Sequence, residues 1–171
     1  TEMRDLASDP RDKYISNFSK ELTAKVMEKY KDSLTPEVLA GRKRMYREFL
    51  ELVGLMGRAG VDLLAGTDSA SRAIYPGFSL HEELALLVDA GLKPMEALLA
   101  ATRNPARFLK MKDLGTVEQG KIADLVLLDA NPLDDIRNTT KINAVILNGQ
   151  LLDRAKLRAL LAKSAALAKK S

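Results

Sequence analysis

Apolar residues recur at helical spacing through most of the chain and change to strand-like runs near its end. A short helix is expected over Lys20 to Lys31, with Leu22, Val26 and Met27 on one rough face. Thr35-Pro36 gives a cleaner start, because threonine caps and proline suits the first turn. From there a helix is predicted to run towards Arg58. Met45, Phe49, Leu52, Val53 and Met56 form its expected buried stripe, and Gly60 ends it. Val61 to Ala65 is apolar except for Asp62 and closes on Gly66. So short a run between helices reads as a parallel strand. Ser79 is the expected cap of the next helix, with Glu82 at capping-box spacing. Its stripe is Leu80, Leu84, Leu87 and Val88, and Gly91 stops it. Lys93-Pro94 opens another helix through Ala101, and Asn104-Pro105 a shorter one over Ala106 to Leu109.

Past Gly115 the pattern is different. Gly115-Thr116-Val117 and Gly120-Lys121 bracket a turn, and Asp124 to Asp129 is an apolar strand between two acids. Ile142 to Leu147 and Gln150 to Leu152 are strands joined by Asn148-Gly149, a type I′ hairpin signal. A small sheet with so apolar a face needs a partner layer. Leu157, Leu160, Leu161 and Leu167 then mark an amphipathic helix over Asp153 to Lys170, expected to dock on its own domain. The order of helix, strand and several helices is that of an α/β unit.

Composition narrows this picture only a little. The chain has 171 residues, 46% hydrophobic and 29% charged, enough for a real core. Its net charge of +4 comes from dispersed residues, apart from Arg42-Lys43-Arg44 and Lys169-Lys170 on expected helical faces. Nucleic-acid binding is therefore not expected. Cysteine is absent, so neither a disulfide nor a thiolate ligand is available. No run approaches a membrane span, no signal peptide is visible, and a cytoplasmic location is expected. Thr1-Glu2-Met3 is an unusual start, of the kind a processed or excised chain has.

Two residues are candidates for chemistry. Asp68 follows the expected strand in GVDLLAGTDS. In a (β/α)8 barrel, active sites lie at the C-terminal ends of strands, where a carboxylate can hold a divalent metal and shuttle a proton. A turn or cap acid is the plainer alternative. His81 is the single histidine and stands in the first turn of a helix, where it either meets a substrate group or is an ordinary helical residue. Arg72 is a weaker candidate for an anionic group. Glu82 and Glu83 read as first-turn acids that complement the helix dipole. Asp129, Asp134 and Asp135 read as surface caps. Catalytic zinc needs about three protein ligands, and no His-x-His, His-Glu-x-x-His or carboxylate cluster is present. A phosphate loop and a nucleophile elbow are also absent.

Taken together, GVDLLAGTDS, GFSLHEELALLVDAGLKPMEALLAATRNPARFL, LGTVEQGKIADLVLLDANPLDDI and INAVILNGQLLDR are similar to the C-terminal portion of metal-dependent amidohydrolases, in the imidazolonepropionase-like branch. The resemblance covers about residues 35 to 154. It implies an α/β fold, the C-terminal fragment of a (β/α)8 TIM-like barrel plus the C-terminal part of a small β-sandwich, mostly helical as it stands. Residues 1–112 are then a partial barrel holding its last helices and strand 8, 113–153 the sandwich share, and 154–171 the terminal helix. Val61 to Ala65 becomes the eighth strand, and Asp68 both a metal ligand and the acid/base of the hydrolysis. His81 becomes a substrate-binding residue.

The implied activity is hydrolysis of a carbon–nitrogen bond, in an amide, cyclic amide or peptide-like group, by metal-activated water. The implied cofactor is a divalent metal, zinc, and the partner a small-molecule substrate. The family's first-strand His-x-His, its bridging lysine or glutamate and its later histidines have no counterparts here. The chain thus reads as about the last third of a full enzyme. By itself it is expected to be a catalytically inert structural or oligomerisation module. It is expected to self-associate or to join the missing N-terminal part, with no nucleic-acid or membrane partner.

Overall fold

The computed structural model describes residues 9–69 and 74–170; Thr1-Glu2-Met3 and Arg72 lie outside these. Helices α1 (Asn17–Tyr30), α2 (Pro36–Arg58), α3 (Ser79–Asp89), α4 (Pro94–Ala101) and α5 (Arg103–Phe108) come first. Strands β1 (Leu125–Leu128), β2 (Ile142–Leu147) and β3 (Gln150–Leu152) follow, and α6 (Arg154–Ala168) comes last. Short 3-10 turns at Pro10–Tyr14 and Ile136–Thr140 complete the packing.

Local chemistry accounts for most element ends. The Thr35 hydroxyl accepts the Val38 N–H at 3.4 Å, with Pro36 in the first turn of α2. At the other end, the Gly60 and Val61 N–H groups return to the Gly57 and Met56 carbonyls, both at 3.0 Å. This is a Schellman closure, with Gly60 at φ 76 supplying the left-handed residue. The Lys93 N–H donates to Glu96 Oε2 at 2.7 Å at the start of α4. Asp153 caps α6 through the Lys156 N–H at 2.9 Å.

The core is small and lies where α3, α4 and the turn at Ile136–Thr140 meet. Leu84, Ala97 and Ile136 form it, flanked by the partly buried Ala65, Leu87, Val88 and Leu98. Small residues on α4 let the helices approach closely. The end of α2 packs against the turn between α3 and α4, and the contact depends on a missing side chain. A Cβ placed on Gly54 would stand 2.1 Å from the Ala90 carbonyl oxygen.

The sheet is an antiparallel meander in the order β1-β2-β3. Val126 pairs with Val145, a bulge falls between Leu127 and Leu128, and Val145 pairs with Leu152. Asn148 and Gly149 both have positive φ, 52° and 76°, as the expected type I′ hairpin requires. Val126 and Leu127 point to opposite faces and are both exposed, so among the described residues the middle of the outer strand is uncovered on both faces, while Leu125 and Leu128 at its ends are partly buried.

Three expectations are corrected. Val61 to Ala65 joins no ladder. A parallel strand needs strand neighbours, and the described residues place helices beside it instead. Ser79 does not cap α3, because the helix includes it. Its hydroxyl faces back to accept the Tyr75 N–H at 2.7 Å, which leaves Glu82 without its capping-box role. The stripe on α2 is covered only at its end: Met45, Phe49 and Leu52 are exposed while Val53 and Met56 are partly buried, and Leu80 on α3 is exposed as well.

Candidate functional site

Asp68 ends a segment that side chains hold in place of a ladder. The Ala65 N–H donates to the Ala100 carbonyl at 2.8 Å, and the Gly66 N–H to Glu83 Oε1 at 2.7 Å. Asn104, buried on α5, donates to the Leu63 carbonyl at 3.1 Å. Arg107 pairs with Asp62. Four anchors from α3, α4 and α5 thus fix residues 62 to 66, two residues short of the carboxylate.

Asp68 itself is exposed and has φ 47°, in the left-handed region. That conformation disfavours most side chains, but aspartate and asparagine tolerate it. No hydrogen bond or ion pair among the described residues occupies its carboxylate. Among the described residues the group is held from behind and open in front, an arrangement suited to a ligand or a proton.

His81 faces elsewhere. Its Nδ1 lies 3.1 Å from Thr139 Oγ1, and that hydroxyl donates its own proton to the Ile136 carbonyl at 2.8 Å. The hydroxyl oxygen therefore accepts from Nδ1–H, which leaves Nε2 as the acceptor tautomer. The ring is half-buried, and burial pushes its pKa below the ordinary imidazole value. In the window between that depressed value and the ordinary one, the unfolded chain binds a proton that the folded chain does not. Stability is thus expected to fall as pH drops through this window. NMR of the single histidine should show a midpoint below that of a free imidazole and the Nδ1–H tautomer. Denaturant midpoints should lose their dependence on pH in this window in His81→Gln.

The remaining candidates have structural partners. Glu82 accepts from Arg11 at 2.8 Å. Bonding to Asp9 is the main effect that keeps the Arg11 guanidinium charged; burial opposes it, and bonding to Glu82 adds further support. Glu83 fastens Gly66. Asp135 caps its 3-10 turn through the Arg137 N–H at 2.9 Å, Asp134 accepts from Asn131 at 3.0 Å, and Asp129 accepts from Asn143 at 2.7 Å. Asn104 and Thr139 are not candidates in the sequence, and Glu83 is read there only as a first-turn acid. Only Asn104, preceding a proline, carried a local signal.

A divalent metal does not fit the described residues alone. They contain no group of three or more histidine, cysteine, aspartate or glutamate side chains able to hold one. Asp68 brings a single carboxylate, and no hydrogen bond connects it with His81. No described helix is long and apolar enough to cross a membrane.

Residues 23–152 match the Amidohydrolase family. Adenine deaminase 2 of Rhizobium etli is 37% identical over 97 residues, covering 56% of this chain and 16% of the relative. Imidazolonepropionase of Pyrobaculum arsenaticum is 42% identical over 74 residues, covering 43% of this chain and 18% of the relative. Among solved structures, bottromycin amidohydrolase superposes with TM-score 0.78 over 96% of this chain and 37% of its own, at 23% identity. That likeness establishes an amidohydrolase-type fold. The chain spans less than a fifth of the length of these two curated relatives.

Proposed function

Because the chain belongs to the amidohydrolase family, we propose that it contributes Asp68 to a site that hydrolyses a carbon–nitrogen bond in a small molecule. The observation that carries this reading is the open carboxylate of Asp68 at the end of a segment anchored by three helices. In this reading Asp68 accepts a proton from the attacking water and returns it to the leaving nitrogen, so that the amine departs neutral. Metal activation, including zinc, needs donors beyond the described residues, and we place them on polypeptide other than these 171 residues.

The division of the chain belongs to the same proposal. Residues 1–112 act as the end of a barrel, 113–153 as a share of a β-sandwich, and 154–171 as a terminal helix. The separate antiparallel meander within residues 125 to 152 supports the second part. His81 is kept as a substrate-side residue through its free Nε2. The 171 residues by themselves are then inert. The test is metal content and turnover of generic amides and esters by the isolated chain. Neither stoichiometric zinc nor turnover is expected. Tightly bound zinc with turnover abolished in Asp68→Asn would overturn the incomplete-site reading and leave the hydrolase reading standing.

Association follows from the exposed apolar faces. Phe18, Leu22 and Tyr30 on α1, and Met45, Phe49 and Leu52 on α2, are all at least half exposed or close to it. Solvated apolar surface on this scale favours burial against a partner. Light scattering of the isolated chain should give a mass above the monomer. A compact monomer at all concentrations would contradict it.

A further inference from the structure

A cleft of about 920 Å³ opens between α3, β2 and α6, on the side of α3 that carries His81. Its walls are apolar: Phe78, Ile142, Val145, Leu157, Leu160 and Leu161 line it. The charges around it are mostly positive. Arg11 is committed to Asp9 and Glu82, Arg137 to Asp89 and Asp135, and Arg154 to Asp129. Lys141 and Arg158 also line the cleft, are exposed, and carry no ion pair among the described residues.

We propose that this cleft binds an amphiphilic carboxylate, with its hydrocarbon tail along the leucine, isoleucine and valine wall and its negative head at Lys141 and Arg158. The volume is of the size that encloses small ligands, about 300–1,000 Å³. Two uncommitted cations beside an apolar wall select a molecule with one charged end. A neutral apolar molecule leaves them unused, and a cationic head is repelled. The His81 Nε2 lone pair, at the same cleft, accepts a donor such as an amide N–H or hydroxyl on the ligand's stem. The proposal shares His81 with the hydrolase reading but uses neither Asp68 nor the segment that holds it, so decanoate binding and turnover fail separately.

The test uses decanoate with the 171-residue chain, read by calorimetry and by methyl NMR. Decyltrimethylammonium serves as the opposite-charge control with the same tail. One-to-one binding of decanoate is expected, with shifts centred on Ile142, Val145 and Leu157. Binding should weaken at least tenfold for the cationic head and in the doubly substituted Lys141→Glu, Arg158→Glu chain. Equal binding of both heads, shifts centred instead on Leu22 and Leu52, or no binding of decanoate would overturn the proposal. Should the double variant lose its helical signal, the wild-type methyl map and the head-group comparison decide by themselves.

Discussion

On the proposed hydrolase reading, Asp68→Asn is expected to lower kcat of the complete enzyme by about 10²–10⁴-fold, the usual worth of a positioned general acid/base. The carboxamide keeps the size and hydrogen-bonding reach of the side chain but can neither take up nor release the proton. KM should change far less, because the substitution removes an interaction that matters in the transition state. The fold should be unaffected for two reasons. Asp68 is exposed, and asparagine accepts the φ of 47° about as readily as aspartate does. Alanine lacks that tolerance, so Asp68→Ala adds a backbone cost of about 1 kcal/mol or more to any catalytic loss. The two variants together separate chemistry from conformation. Steady-state kinetics with circular dichroism would check this, and an asparagine variant that keeps kcat within twofold would remove Asp68 from the chemistry.

Gly54→Ala is expected to be strongly destabilising for the addition of a single methyl group. The added Cβ meets a backbone carbonyl, that of Ala90, at 2.1 Å, so no rotamer change can relieve it. Either α2 or the turn after α3 must shift. Overpacking of this kind costs about 1–3 kcal/mol, and the gain of about 1 kcal/mol in helix propensity offsets only part of it. Two neighbours provide controls. At Gly57 a Cβ meets the Leu92 side chain at 3.1 Å, a flexible group that can yield, so Gly57→Ala should be mild. At Gly41 nothing lies within 4 Å, and Gly41→Ala should stabilise by about 0.5–1 kcal/mol. Urea midpoints of the three variants should rank Gly41→Ala above wild type, Gly57→Ala near it and Gly54→Ala well below.

Where sequence and structure agree, the signal is local. Thr35-Pro36 and Asn148-Gly149 act on backbone groups within four residues and form as read, and Lys93-Pro94 opens its helix as expected. The family resemblance also rests on motifs in the chain, and the matched residues 23–152 contain all of them but the last two residues of the final one. Where they part, the deciding partner is distant in sequence. Val61 to Ala65 has strand composition, but a ladder depends on neighbours, and Asn104, Glu83 and Arg107 hold the segment instead. Ser79 could bond forward or backward, and the turn at Tyr75 takes it backward. Periodicity on α2 identifies an apolar face correctly but says nothing of what covers it. The His81 tautomer depends on Thr139, 58 residues away, and no spacing rule points there.

The close approach at Gly54 also has a mechanical consequence. From Pro36 to Gly54, α2 extends about 27 Å at the usual rise per residue. Its packing against the rest of the molecule lies at the far end, at Gly54 and Gly57. A rod clasped near one end is a lever. A tilt of about 10° at the Ala90 carbonyl sweeps the Pro36 end through about 5 Å on that length. Any partner seated along Met45 and Phe49 therefore gains leverage over the turn between α3 and α4, and through α3 over Glu83 and the carboxylate that it helps to present.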